Sequence, residues 1–337
     1  MTTRPKKLVI GASGFLGSHV TRQLVENGED VRVMLRRTSA TKGIDDLDVE
    51  RCYGDIFDDA ALRGAIADCD VVFYCVVDTR IWLRDPAPLF RTNVEGLRHV
   101  LDAAVDAGLR RFVFTSTTGT LAASDGKPVT EDDPHNWSDS SGYVKSRVAA
   151  ENLVMEYARD KGLPAVALCI STTYGPGDWQ PTPHGSLIAL VATGKFPFYL
   201  DYSAEVVGIE DAARAMVLAA DRGRVGERYA ISDRYMSIRE LHTIAAEAAG
   251  VKPPRIEIPM PLLYLVAHAN DLAAKLLRRD LKFAAVGLRA AQLMGPVDHS
   301  KAERELGWKP QPVADSIRKA AVFFKEQAAG HATPPAS

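Results

Sequence analysis

The chain has 337 residues, room for one large domain or two modest ones, and its 46% hydrophobic and 25% charged residues are the proportions of a soluble globular protein. A formal net charge of −2 gives no electrostatic reason to expect a nucleic-acid partner. Cys52, Cys69, Cys75 and Cys169 have neither metal-ligand spacing nor the density of a disulfide framework; they read as buried free thiols of a reducing compartment, and no metal is expected.

The N-terminus is basic, but its apolar run is only Leu8-Val9-Ile10, too short for a signal peptide, so a cytoplasmic protein is expected. That run predicts a strand over 8–10, followed by a helix over 15–26 and a strand over 31–35. A further strand is expected over 71–77, a helix over 93–107, a strand over 112–114, a helix over 142–161 and a strand over 165–170. Strands alternating with longer helices predict an α/β protein, a doubly wound parallel sheet covered on both faces. Fully apolar runs such as Val71-Val72-Phe73 fit strands buried on both sides.

Proline and glycine crowd residues 174–185, where a long loop is expected, and beyond it the pattern is mixed. We read 1–170 as one domain, with 205–234 returning to its sheet. A smaller, discontinuous lobe comprises 171–204 and 235–329, and 330–337 form a disordered tail. The most lipophilic stretch, 259–269, is far short of the roughly 20 residues that span a bilayer, so no transmembrane segment is expected. It reads first as a buried helix, with membrane contact a minor possibility.

The first strand runs directly into Gly11-Ala12-Ser13-Gly14-Phe15-Leu16-Gly17 and then into a helix. Glycines at this spacing let the backbone turn tightly and approach a pyrophosphate, which the N–H groups and partial positive charge of the helix start can hold. The strand-turn-helix context is what gives the motif weight, and it points to a Rossmann-type dinucleotide site. NAD binders carry an acidic residue about 20 positions on. Here the second strand ends in Arg36-Arg37. A guanidinium there suits the 2′-phosphate of NADP, against the plainer reading of a solvated basic strand end. Asp55 and Ile56 follow the third strand; Asp55 either meets the adenine amino group or caps the helix expected over 58–66.

Tyr143 and Arg147 are four apart at the start of the long helix and share a face, where a cation would lower the phenol pKa. Thr117, just past the strand over 112–114, offers a hydroxyl to a substrate carbonyl. Together with the glycine turn, these residues make the chain resemble an extended short-chain dehydrogenase/reductase of the epimerase/dehydratase type. The similarity extends to the dihydroflavonol-reductase-like and hopanoid-associated sugar-epimerase-like branches. Its markers also include Gly54-Asp55-Ile56, Arg91-Thr92-Asn93-Val94-Glu95-Gly96, Tyr174-Gly175-Pro176-Gly177-Asp178 and Arg304-Glu305-Leu306-Gly307-Trp308.

The resemblance implies roles. Tyr143 would be the general acid/base and Thr117 the group that orients the carbonyl or hydroxyl, while Asn93 would support the active-site helix and its water. Gly11, Ser13, Gly14, Phe15, Leu16, Gly17, Asp55, Ile56, Val76, Val77, Thr115, Tyr143, Arg147 and Ile170 would contact the cofactor, with Arg36 and Arg37 on its 2′-phosphate. Three positions depart from the family pattern. Arg147 replaces the usual lysine, keeping the charge without easily releasing a proton. Cys169-Ile170 stand where Arg-Pro is common, and Thr117 stands for serine. Lys145 faces away and does not substitute for the lysine. A homodimer through the long helices is expected of the family.

For the substrate, Trp82 follows the fourth strand at the edge where open α/β sheets bind ligands, and reads equally as a substrate cover or a packed loop aromatic. Trp179, Phe196, Phe198, Tyr199 and Tyr202 form either the core of the lobe or an aromatic pocket. Residues 186–198 offer only Lys195 to a sugar-nucleotide diphosphate. The expected activity is therefore an NADP-preferring reduction of a lipophilic or cyclic ketone or aldehyde, or the reverse oxidation. A sugar-nucleotide epimerase or dehydratase with tightly held NAD(P) is the alternative, and a non-catalytic dinucleotide sensor the second.

Overall fold

A computed structural model describes residues 5–137, 141–277, 280 and 293–332. Its centre is a seven-stranded sheet. In chain order the strands are β1 (Lys6–Ile10), β2 (Val31–Leu35), β3 (Glu50–Tyr53), β4 (Cys69–Tyr74), β5 (Arg111–Thr117), β6 (Ala165–Ile170) and, after the lobe's short strands β7 (Thr172–Tyr174), β8 (Phe198–Leu200) and β9 (Ser203–Gly208), β10 (Arg228–Ile231). They lie in the order β10-β6-β5-β4-β1-β2-β3, and every pairing is parallel. This is a doubly wound Rossmann-type sheet, with the order reversing between β1 and β4, where such folds open a ligand crevice.

Both faces are covered because the strands are apolar on both sides. On one face, α1 (Phe15–Glu26) packs against α7 (Ile209–Arg222) over Val9, Val33, Phe73, Val113 and Leu168. On the other, α2 (Asp59–Ile66), α4 (Gly96–Asp106) and α5 (Gly142–Asp160) cover Leu8, Ile10, Val72, Phe112 and Ala167. Beside the sheet, α6 (Pro183–Ala192), α8 (Ile238–Ala248) and the last helix, α11 (Val313–Ala332), enclose a separate core of Ile188, Val191, Leu241, Ala245, Ile317 and Phe324. A mixed sheet, with β11 (Arg234–Ser237) antiparallel to β9 and β9 parallel to β7, borders it. The short helices α3 (Ala87–Phe90) and α10 (Ser300–Leu306), the strand β12 (Ile256–Ile258), the helix α9 (Met260–Leu277), a π-helical turn (Arg91–Glu95) and a 3₁₀ turn (Thr118–Thr120) complete the described elements.

Several local expectations are corrected. β4 ends at Tyr74, so Val76 and Val77 lie in a loop; the chain leaves the sheet where the Cys75 and Val76 backbones press against Gly11. The helix expected from residue 93 begins as a π-helical turn, Arg91–Glu95, before α4. The helix α2 is capped by Asp58, whose carboxylate accepts from the Ala61 amide at 3.0 Å, and not by Asp55. The final helix continues through Ala332, so 330–332 are helical, and 333–337 lie outside the described residues. The stretch at 259–269 is not a buried helix: within it only Leu263 and Ala267 are buried. All four cysteines are free, and of them only Cys169 is fully buried.

Candidate active site

The glycine turn leaves β1 at the sheet's crevice. Gly11 has φ +96°, a left-handed conformation that disfavours side chains, and a Cβ there would lie 2.8 Å from the Cys75 carbonyl carbon. A Cβ on Gly17 would lie 2.2 Å from the Gly11 carbonyl oxygen, so only glycine lets α1 close onto the turn. The turn is held by the Gly14 amide donating to the Gly11 carbonyl at 3.0 Å. Gly14 begins α1 with extended backbone and no side-chain cap. The amides of Phe15 and Leu16 therefore open a helix start that no side chain fills, with Ser13 half-buried beside them. This cradle fits a pyrophosphate.

At the far end of that crevice, Arg36 and Arg37 follow β2 and are exposed. The Arg37 guanidinium lies over the Tyr53 ring at 5.5 Å, and the Ser39 hydroxyl accepts from the Arg36 amide. Asp55 is exposed, one carboxylate oxygen accepting from the Phe57 amide at 3.1 Å, while Ile56 packs over Gly96.

The catalytic candidates converge where β5, the π-helical turn and α5 meet. Ser141 caps α5 through the Val144 amide and so fixes Tyr143 in its first turn. Thr117 ends β5 and accepts from the Gly119 amide at 3.2 Å, and its side chain also hydrogen-bonds Tyr143. Asn93 is buried and fully engaged. Its side-chain amide donates to the Asp78 carbonyl at 3.1 Å and to the Ser146 hydroxyl at 3.0 Å, and its oxygen accepts from the Asp78 amide at 2.8 Å. Ser146 in turn donates to the Tyr143 carbonyl at 2.7 Å. Asn93 thus ties the loop after β4 to the helix that carries Tyr143.

The expected lowering of the Tyr143 phenol is overturned. Burial raises it above its ordinary value, outweighing the downward pull of the Arg147 charge and of the Thr117 hydrogen bond, while Asp78 pushes it further up. Arg147 is also not a surface cation. It is 1% exposed, its Nη2 donates to the Thr115 carbonyl, and its guanidinium lies 5.1 Å from the centre of the Phe114 ring. Nε and Nη1 have no partner among the described residues. Arg147 is therefore a fixed charge behind the phenol, and its described contacts are to the Thr115 carbonyl and the Phe114 ring instead of an open ribose site.

Thr115 is buried with its hydroxyl toward Cys75 and Met216, and Ile170 is buried at the end of β6. Burial pushes the Cys75 thiol up to about 12, which makes it unreactive near neutral pH.

A cleft with about 550 Å³ of open space continues from Thr118 between the two cores, walled by Ala122, Val129, Ala204, Met294 and Val297. Thr172, His184, Tyr202 and Glu205 supply its polar groups. Glu205 is already engaged by the Ser232 hydroxyl and by the Val297 amide at 2.8 Å. Tyr143 and Met294, a wall of this cleft, pack against the same small cluster of Trp137 and Val144. Trp82 lies half-buried in the loop after β4. Trp179 is not a cleft residue: its ring meets Phe323 edge-on at 4.7 Å and carries the Lys42 ammonium at 4.0 Å, so it is a packing aromatic. Of the other aromatics, Phe196 packs on Phe198 and His242, Tyr199 donates to Glu257, and only Tyr202 reaches the cleft.

One group escaped the sequence reading. Glu151 is buried under the turn after β5, accepting from the Ser116 hydroxyl, from the Thr120 hydroxyl at 2.9 Å and from Arg228 at 2.8 Å. Its spacing, four residues beyond Arg147 on the same helix face, was the available signal.

The sequence profile of the NAD dependent epimerase/dehydratase family matches residues 7–232, from β1 through β10. The chain belongs to that family. It is an NAD(P)-dependent enzyme of the extended short-chain dehydrogenase/reductase type. It is similar to sterol demethylase protein B of Methylococcus capsulatus, with 29% identity over 328 residues, 95% of this chain and 98% of the relative. It is also similar to the 4-hydroxy-2-methyl-3-oxo-4-farnesyl-3,4-dihydroquinoline-1-oxide ketoreductase of Stigmatella aurantiaca, with 30% identity over 331 residues, 94% of this chain and 96% of the relative. Among solved structures, gox2253 superposes with a TM-score of 0.85 at 32% identity, covering 96% of this chain and 99% of that one.

Proposed function

We propose that this enzyme reduces the carbonyl of a neutral, lipophilic or cyclic ketone or aldehyde, with NADPH preferred over NADH. The observation that carries the reading is the cleft: its described lining has no lysine or arginine, and its one carboxylate is already hydrogen-bonded. A diphosphate there would be desolvated against apolar walls without a counter-charge, a costly arrangement. The ketoreductase relative supports the same direction.

In this reading, Gly11, Gly14 and the first turn of α1 hold the pyrophosphate, Asp55 and Ile56 border the adenine, Val76, Val77 and Ile170 flank the nicotinamide half, and Arg36 takes the 2′-phosphate. The bound nicotinamide supplies the hydride. Thr117 donates to the substrate carbonyl and fixes its direction, and Tyr143 gives the proton to the developing alkoxide. A phenol held above its ordinary pKa is protonated at neutral pH, the state that reduction requires. Arg147 keeps that phenol from rising further and so keeps it a competent acid.

The test is turnover and thermal shift against two panels: neutral cyclic ketones and nucleoside diphosphate sugars, each with NADPH and with NADH. The reading expects the ketones to be consumed, NADPH to stabilise more than NADH, and the sugars to do neither. A sugar nucleotide converted without net loss of the reduced cofactor would replace the reductase reading with that of an epimerase.

A further inference from the structure

Tyr143, Arg147 and Glu151 recur every four positions along α5 and share one face of that helix. Three successive residues at the end of β5 meet them. The Thr117 side chain hydrogen-bonds Tyr143, the Thr115 carbonyl accepts from Arg147, and the Ser116 hydroxyl donates to Glu151. The first two contacts belong to the site described above, whereas the third lies behind it. Glu151 is 3% exposed, so its carboxylate bears the cost of leaving water unless it is paired and hydrogen-bonded. Arg228 of β10 supplies the pair, donating to Oε1 at 2.8 Å. Oε2 accepts from the Ser116 hydroxyl, from the Thr120 hydroxyl at 2.9 Å and from Cys169 Sγ at 3.4 Å.

A buried ion pair is weak evidence for stability, because apolar residues of the same volume often serve as well. The service of this one is geometric. Thr117 leads into the 3₁₀ turn Thr118–Thr120, a single turn of poor hydrogen-bond geometry that needs support from outside. The Thr120 hydroxyl gives that support. It lies 2.8 Å from the Thr117 carbonyl and 2.9 Å from the Glu151 carboxylate, so one hydroxyl joins the backbone of Thr117 to the buried charge. The Thr117 hydroxyl is therefore located from two points on one helix: directly by Tyr143, and through Thr120 by Glu151. Eight residues separate those points, about 12 Å along the axis, so Glu151 acts at a distance from the phenol and not on the reacting atoms.

We propose that Glu151 is a positioning residue, which through Thr120 and Ser116 fixes the turn that carries the Thr117 hydroxyl against Tyr143. The proposal rests on the reading that Thr117 orients the substrate and Tyr143 moves the proton. Its test is kcat, KM and a thermal melt for Glu151→Gln, Glu151→Gln/Arg228→Met, Thr120→Val, Thr120→Ser, Thr117→Val and Thr117→Val/Thr120→Val. Turnover is read on whichever of neutral ketones or nucleotide sugars the wild type consumes, so a failure of the reductase reading shows in the substrate and a failure of this proposal in the variants. A methyl-threonine NMR spectrum, with Thr117 assigned by its loss in Thr117→Val, reads the turn without turnover. Glu151→Gln and Thr120→Val should each lose about ten- to a hundredfold in kcat with little change in KM, and Thr120→Ser should retain it. The Thr117 methyl resonance should move in both of the impaired variants. Thr117→Val/Thr120→Val should be no slower than the slower single variant, because both act on one hydroxyl. Adding Arg228→Met to Glu151→Gln removes the unpaired cation and should restore the melting temperature without restoring kcat. A kcat that recovers with the melting temperature would reduce Glu151 to a structural residue. Wild-type kcat in Glu151→Gln or Thr120→Val, losses that simply multiply in Thr117→Val/Thr120→Val, or a Thr117 methyl that stays in place would overturn the proposal.

Discussion

Arg147 offers a sharp perturbation, because it is a buried cation whose charge acts on Tyr143 and whose hydrogen bonding is incomplete. Side chains four apart on a helix lie about 6 Å apart. The Arg147 charge favours the ionised phenol, against the burial that raises it. Arg147→Met removes that contribution, makes Tyr143 a weaker acid and should slow carbonyl reduction about ten- to a hundredfold. Arg147→Lys keeps a charge and should stay within about tenfold of wild type. Stability should move differently. The methionine replaces a buried cation with two nitrogens that have no partner among the described residues, a change that is often neutral or stabilising, so the melting temperature of Arg147→Met should not fall. The assay is kcat for NADPH-dependent reduction of one ketone against pH, with a thermal melt, for all three proteins. A methionine variant with wild-type kcat and an unchanged pH profile would remove Arg147 from the mechanism. A fall in activity matched by a fall in melting temperature would reduce it to a structural residue.

Four further outcomes follow from the same geometry. Tyr143→Phe should cost about 10²–10⁴ in kcat and leave cofactor affinity intact in a fluorescence titration, because only the phenolic proton is lost. Gly17→Ala should abolish measurable dinucleotide binding and lower the melting temperature, since its Cβ would lie 2.2 Å from the Gly11 carbonyl oxygen; a variant that still binds would show that the turn can open. Arg36→Ala should weaken NADPH by about 1.5–3 kcal/mol and NADH hardly at all, read by titrating both cofactors. Because burial raises the Tyr143 phenol above its ordinary value near 10, reduction should keep its protonated acid across neutral pH. Alcohol oxidation, which needs the phenolate, should rise continuously toward alkaline pH, and an oxidation rate that levels off near pH 7 would contradict that protonation state.

The sheet was legible in the sequence because its strands are buried on both faces and read as unbroken apolar runs, and the glycine turn because its constraint is steric and local. The chain's membership of the epimerase/dehydratase family was legible from the same motifs. Other features depend on three-dimensional packing. Tyr143 and Arg147 are neighbours by spacing alone, but the depth of Arg147 depends on Phe114 and Thr115 closing over it from another strand. The spacing therefore suggested a lowered phenol where burial produces a raised one. Trp179 looked like a ligand aromatic because nothing local reveals Phe323, 144 positions away, as its partner. Helix α9 misled in the opposite sense: an apolar helix normally packs inward, and only the fold shows that one narrow side of it does so. Glu151 was overlooked because its value lies in Arg228 and Thr120, which sequence distance separates from it.

Net reduction in a cleft whose described lining has no lysine or arginine is tested most directly by stoichiometry. The purified enzyme is supplied with a neutral cyclic ketone and NADPH, and the cofactor oxidised is compared with the alcohol formed. The account predicts one equivalent of NADPH consumed per alcohol, and loss of both signals together in Tyr143→Phe. A protein that carries tightly held dinucleotide, interconverts a nucleotide sugar and leaves added NADPH untouched would contradict it.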